Sequence, residues 1–348
     1  MDFLRRLVGS KRKSDEEANT QPSRTGATLE ITQPGNPVTM TPPAPVIEPP
    51  SKAEKAAQES VKVETPRAPT SPFGATRQLP PLESYVGKPG KHLIYGLSSD
   101  IGQIRNNNQD AVYAFFSSNV SAGGPPDFGL FVVADGMGGH HDGEKASAIT
   151  TRMVAKHVTT NFLLPLLNER IDDDPNERPV VSEVLAEAVQ KANQAVSDQI
   201  PEGGTTVTAA AILGDLVHVA HVGDSRAYLI TADGIEQITR DHSLVQRLIE
   251  LDQLTAEEAA VHPQRNVLYR AIGQSENLEV DAVIRRLPPG SRLLLCSDGL
   301  WNQVDETALK EVVLSASSPQ EACDRLITAA NDRGGPDNIT VVIIQAPG

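Results

Sequence analysis

FGLFVVADGMGGH, residues 128–140, is the stretch whose reading fixes the fold. Its first seven residues form an unbroken apolar run, preceded by the Gly/Pro-rich segment 117–127 and closed by Asp135-Gly136. A run this short, with such punctuation and no polar alternation, reads as a β-strand buried on both faces. Working outward, Leu93-Ile94-Tyr95 and residues 112–116 read as strands ahead of it. Residues 143–163 and 181–200 read as helices behind it, the second because Val181, Val184, Leu185, Ala188 and Ala192 recur at helical spacing.

Strand signals then return at 205–213, 216–222 and 227–230, with Gly214-Asp215 and Ala232-Asp233-Gly234 as turns. Residues 243–251 and 255–261 read as two short helices, and 278–284 and 291–297 as strands joined through Pro288-Pro289-Gly290. Helices over 306–315 and 319–331 precede a closing strand at 339–345. This order predicts an α+β fold, a central β-sandwich of two antiparallel sheets flanked by α-helices.

Composition divides the chain. Residues 1–90 hold 14 of the 26 prolines and little apolar periodicity, so residues 1–88 are expected to form a disordered Pro-rich tail, followed by one folded domain at 89–348. The start, MDFLRRLVGSKRK, is too short in its apolar part for a secretory signal and has the pattern of a short amphipathic helix able to graze an anionic membrane. Thr25, Thr28 and Thr32 lie in the least proline-dense part of the tail, where a phosphothreonine-reading partner is a candidate binder.

The formal charge of −14 resides in the domain: residues 1–90 carry 12 Lys/Arg against 10 Asp/Glu, the remainder 19 against 35. An acidic surface of this kind repels nucleic acid phosphates and suits divalent cations. Two cysteines, Cys296 and Cys323, imply neither a disulfide framework nor a CxxC metal or redox site, and are compatible with a cytoplasmic setting. No apolar run approaches the roughly 20 residues that span a bilayer.

Several aspartates share a local grammar, standing beside glycine or just after Gly-Pro at the edge of an apolar strand: Asp135 in FVVADGMGGH, Asp298 in LLLCSDGLW, Asp337 in RGGPDNITVVII and Asp224 in HVAHVGDSRAY. Asp110, after RNNNQ, precedes another strand. Hard divalent ions take oxygen ligands, strand ends hold carboxylates rigidly, and an adjacent glycine leaves a carbonyl free to ligate. Converging carboxylates repel one another unless a cation neutralises them. No Cys-x5-Arg loop, GxSxG elbow, phosphate-cradling GxxxxGK[ST] or HExxH is present.

In order, SDIGQIRNNNQD, VVADGMGGH, GTTVTAAAI, AHVGDSRAYL, TRDHSL, LCSDGLW and GGPDNITVVII closely resemble the motif series of the metal-dependent protein phosphatase family, type 2C, in its bacterial serine/threonine branch. The likeness runs from about Lys91 to Gln345. It implies a helix-flanked β-sandwich with a dinuclear Mn2+ or Mg2+ centre at one end and room for a third ion. By the resemblance, Asp135 bridges both ions, Asp298 and Asp337 ligate one, and the Gly136 carbonyl ligates the other. Asp110 holds metal-bound waters, Asp224 serves the third ion, and Arg105 grips the substrate phosphate. The resemblance implies hydrolysis of phosphoserine and phosphothreonine esters by a water between two ions, with no phosphoenzyme; the leaving group takes its proton from His140 or from a metal-bound water.

Two positions depart from the family pattern: Gln109 stands where many members carry Glu, and Met137 where eukaryotic members carry His. Residues 251–266 resemble the variable flap beside the active site, and His262 at its end is a candidate phosphopeptide contact. The expected partners are phosphorylated proteins, substrates of a bacterial-type Ser/Thr kinase, with no nucleic acid and no integral membrane segment. A binding module that has lost turnover would lack the metal ligands, and a two-metal phosphodiesterase would need basic or aromatic patches.

Overall fold

In the computed structural model, the described residues are 92–118, 126–138, 142–168 and 179–348. Expectations on the tail, the boundary near 88 and His140 lie outside them. The central strand β3, Phe128–Met137, is buried along most of its length and shows why the run lacks alternation. Successive side chains face opposite ways, so Phe128, Leu130 and Val132 pack toward helices while Phe131 and Val133 pack toward the second sheet.

One sheet has the order β2–β3–β5–β6–β9, from Asp110–Ser117, β3, Val207–Leu213, Leu216–Val222 and Asp281–Arg286, and a two-residue β4, Gly204–Thr205, pairs with the end of β3. The other has the order β1–β11–β10–β7–β8, from Ile94–Asp100, Ile339–Gln345, Arg292–Cys296, Arg226–Ile230 and Ile235–Gln237. Every pairing is antiparallel. The inner faces meet around Phe131, Val133, Ile212, Leu293, Leu295, Val342 and Ile344.

Helices cover both outer faces. α1 (Asp142–Val158), widened to π hydrogen bonding at Thr159–Leu163 and continued by α2 (Leu164–Asn168), packs with α3 (Val181–Gln199) on the β3 sheet. On the other side β10 and β11 turn Leu294, Cys296, Val341 and Ile343 toward the helices α7 (Glu306–Ser315) and α8 (Pro319–Asp332). The expected helix-flanked sandwich of two antiparallel sheets is therefore the observed one.

Two short helices follow, α4 (Leu244–Glu250) just before residues 251–266 and α5 (Ala256–Ala260) within them, begun by Ser243 and by a reciprocal Thr255–Glu258 capping box. Two strand expectations shift. The run at 205–213 breaks at Thr206, whose backbone N–H donates to the Asp135 carbonyl and whose hydroxyl accepts from the Asp135 N–H. The strand expected at 278–284 is β9, starting at Asp281, because Leu278 and Val280 are drawn into the helix-side core and the ladder to β6 begins only at His221–Asp281.

Candidate metal centre

Asp110 and Asp135 are register partners across β2 and β3, on the inter-sheet face at one end of the sandwich. Directly opposed carboxylates on neighbouring strands repel. Asp298 reaches the same place by a different route: it is the first residue of α6 (Asp298–Trp301), a single turn directly after β10, rather than a strand terminus. The charges of both Asp110 and Asp298 act on Asp135. Asp337, two residues before β11, and Asp224, between β6 and β7, complete the acidic group.

Burial is the main electrostatic fact here. It raises the pKa of Asp135 well above the ordinary carboxylate range, and the charges of Asp110, Asp298, Asp224 and Asp337 raise it further. Asp298 is raised in the same way by burial, then by Asp224, Asp337 and Asp110. Burial takes Asp110 up to about 6, against hydrogen bonds that pull it down, among them one from the Ser297 hydroxyl at 2.7 Å. It takes Asp224 up to about 7, helped by Asp241 and opposed by Arg226.

One oxygen each of Asp110 and Asp298 (Oδ1 in both) is buried without a hydrogen-bond partner, a costly arrangement for a carboxylate. All-oxygen donors, mutual repulsion and two orphaned oxygens fit hard divalent cations such as Mg2+ or Mn2+. Among the described residues, no three acidic, cysteine or histidine side chains close into a finished cage as they stand. Asp337 instead accepts from Arg105 Nη2 at 2.6 Å, and this contact, with the negative charges of Asp135 and Asp298 behind it, raises the Arg105 pKa.

Gly136 is needed as glycine: a Cβ there would stand 2.2 Å from the Gly143 carbonyl oxygen and 2.6 Å from that of Gln109. Beside it, Gly136 N–H and the Ser147 hydroxyl both donate to the Gln109 carbonyl, at 3.1 and 2.6 Å. The Gln109 backbone thus ties the site to α1.

Several supporting residues escaped the sequence reading. Trp301 Nε1 donates to the Asp224 carbonyl at 2.9 Å, and its ring lies under the Arg226 guanidinium, 3.6 Å from centroid to Cζ. Arg226 in turn forks onto Asp241. Gly223, φ +112°, is held by the His242 ring and backbone and by His221. The signal for these was their presence in the motifs AHVGDSRAYL, TRDHSL and LCSDGLW, of which only Asp224 and Asp298 were read for chemistry. His262 Nδ1 accepts from the Gln264 N–H at 3.1 Å.

The profile of the family described as Protein phosphatase 2C matches residues 105–327. This chain belongs to that family. The serine/threonine phosphatase stp of Listeria monocytogenes is 36% identical over 247 residues, 71% of this chain and 93% of its own. The protein phosphatase PhpP of Streptococcus pneumoniae is 36% identical over 250 residues, 72% and 96%. Among solved structures, the Streptococcus agalactiae serine/threonine phosphatase superposes with a TM-score of 0.62 at 33% identity, covering 73% of this chain and all of that one. The catalytic domain of the serine/threonine phosphatase PstP, solved with two manganese ions, gives 0.58 at 33% identity, with coverages of 73% and 98%. As a 2C-family member the protein is a protein phosphatase.

Proposed function

We propose that this protein removes phosphate from phosphoserine and phosphothreonine side chains of other proteins at the acidic end of the sandwich. The observation that carries this is the gathering of Asp110, Asp135 and Asp298, half-buried acidic side chains, with two buried carboxylate oxygens left unpartnered.

Asp135, Asp298, Asp337 and the Gly136 carbonyl would hold two Mn2+ or Mg2+ ions. Asp110 would order water around them, and Asp224 would offer a looser third position. When bound, the ions supply Lewis acidity and the charge that lets a water attack phosphorus near neutral pH. The residues do the rest. Arg105, half exposed at the rim, can turn two N–H groups onto phosphoryl oxygens, orienting the ester and offsetting its charge. The backbone clamp at Gln109 and Gly136 fixes the carboxylates, so little reorganisation is needed as the phosphorus–oxygen bond breaks.

The physiological substrates would be targets of a bacterial-type Ser/Thr kinase, and the working compartment the cytoplasm. No helix among the described residues is long and apolar enough to cross a membrane. A domain organisation of a Pro-rich tail at 1–88 and a catalytic domain at 89–348, with a phosphothreonine reader for the tail, completes the reading. The test is hydrolysis of a phosphothreonine peptide with Mn2+ and with EDTA. Turnover is expected only with the metal, and undiminished turnover in EDTA overturns the proposal.

A further inference from the structure

The segment that carries Arg105, residues 101–109, has no regular structure, and Ile101, Gln103, Ile104, Arg105 and Asn106 are exposed. Apolar burial therefore does little to set its shape. A phosphate-gripping arginine on such a segment needs another source of precision, since misplacement of a reacting group by about 1 Å can cost about a hundredfold in rate.

One side chain supplies it. Asn338, 4% exposed, lies between Asp337 and β11. Its Nδ2 donates to the Ile101 carbonyl at 2.9 Å and the Asn107 carbonyl at 3.0 Å, and its Oδ1 accepts from the Gln109 N–H at 2.8 Å. Two carbonyls at one end of the amide and an N–H at the other admit a single orientation. Both amide hydrogens are used, and the three partners lie at the two ends of the segment. Other bonds hold one half each: Gly102 N–H to Asp100 Oδ1 at 2.8 Å and Gln103 N–H to the Gly335 carbonyl at 2.7 Å the first, Asn108 Nδ2 to Ser99 Oγ at 2.9 Å and the two bonds to the Gln109 carbonyl the second, whereas Asn338 reaches both. The Asn338 N–H also donates to Asp337 Oδ1 at 2.9 Å. The residue that spans the segment thus also restrains the carboxylate facing Arg105, and Gln109, which it holds, directly precedes Asp110.

We infer that Asn338 is a positioning residue for phosphate capture: its amide sets where the 101–109 segment presents Arg105 relative to Asp337 and Asp110. The inference rests on the reading of Arg105 as the phosphate-binding group. The three released backbone groups are part-buried, so stability is followed alongside binding.

The test is a double-mutant cycle on a phosphothreonine peptide, with Mn2+ saturating and thermal unfolding followed in parallel. Asn338→Ala is expected to raise KM about tenfold, the cost of about one buried hydrogen-bond group, with a smaller change in kcat. Asn338→Asp keeps the acceptor for Gln109 but sets an oxygen against two carbonyls, and is expected to raise KM at least as far. In an Arg105→Ala background either change should raise KM by no more than about twofold, because the group being positioned is gone. Asn338→Ser replaces Asn338→Ala if the latter does not fold. An Arg105→Ala protein with normal KM would sink the Arg105 reading itself. A raised KM for Arg105→Ala, with Asn338 variants that bind normally or whose effects multiply undiminished with it, would overturn positioning while leaving that reading intact.

Discussion

Arg105 and Asp337 are bonded to each other across 2.6 Å, although one is assigned to the phosphate and the other to a metal ion. A cation approaching Asp337 competes with the guanidinium, and a guanidinium turned to phosphate gives Asp337 up. Metal loading at Asp337 and release of the arginine are therefore coupled halves of one exchange.

Removing the competitor should favour the ion. Arg105→Ala is expected to tighten Mn2+ binding about threefold, the worth of a half-exposed ion pair, measured by calorimetric titration. Unchanged or weaker binding would show that the contact does not compete.

The raised carboxylate pKa values set a pH dependence for chelated protein. Asp110 and Asp224 bind their protons more tightly when folded, at about 6 and about 7, than an unfolded chain does. The folded state thus carries more protons, so stability is fullest below about pH 4 for these groups and falls as pH rises toward 7. Unfolding temperature in EDTA should decline across that window, and saturating Mn2+ should remove most of the decline.

Asp298→Asn takes one charge from the group. In EDTA it should melt at a higher temperature than the parent, since the repulsion on Asp135 is reduced. Turnover with Mn2+ should nevertheless fall about a hundredfold or more, because a ligand is weakened. A variant that is both less stable and fully active would contradict both halves of the electrostatic account.

Trp301→Phe preserves a ring beneath Arg226 but deletes the N–H that holds the Asp224 carbonyl. Stability should drop by about 1 kcal/mol. The Mn2+ concentration needed for half-maximal activity should rise, with kcat at saturation little changed. A lower kcat with unaltered metal dependence would place Asp224 outside metal binding.

Much of the architecture could be read from the chain because its decisive strand is buried on both faces. The run from Phe128 to Ala134 has one interpretation, and the antiparallel sandwich follows from layers on either side of it. Asp135 was legible as a candidate from its glycine and strand context, and Asp110 from its place just before a strand. Their being directly opposite was not, since register depends on tertiary pairing. The same limit applies to β9, whose start is set by β6 and the helix-side core rather than by local propensity. Asn338 and Trp301 were invisible as contributors because their chemistry is uncharged hydrogen bonding to distant main chain. The bond from the Gln264 N–H to His262 Nδ1 was likewise not legible in the sequence.

The facing of Asp110 and Asp135 across β2 and β3 also bears on how freely this region can vary. Lengthening the connection at 118–127 leaves the two carboxylates where they are. Inserting a single residue inside β2, between Asp110 and Ser117, would rotate Asp110 to the helix side and bring a backbone neighbour into its place. Insertions and deletions among relatives should therefore gather in the connection and be missing from the eight residues of the strand, even where the strand's individual side chains have been exchanged.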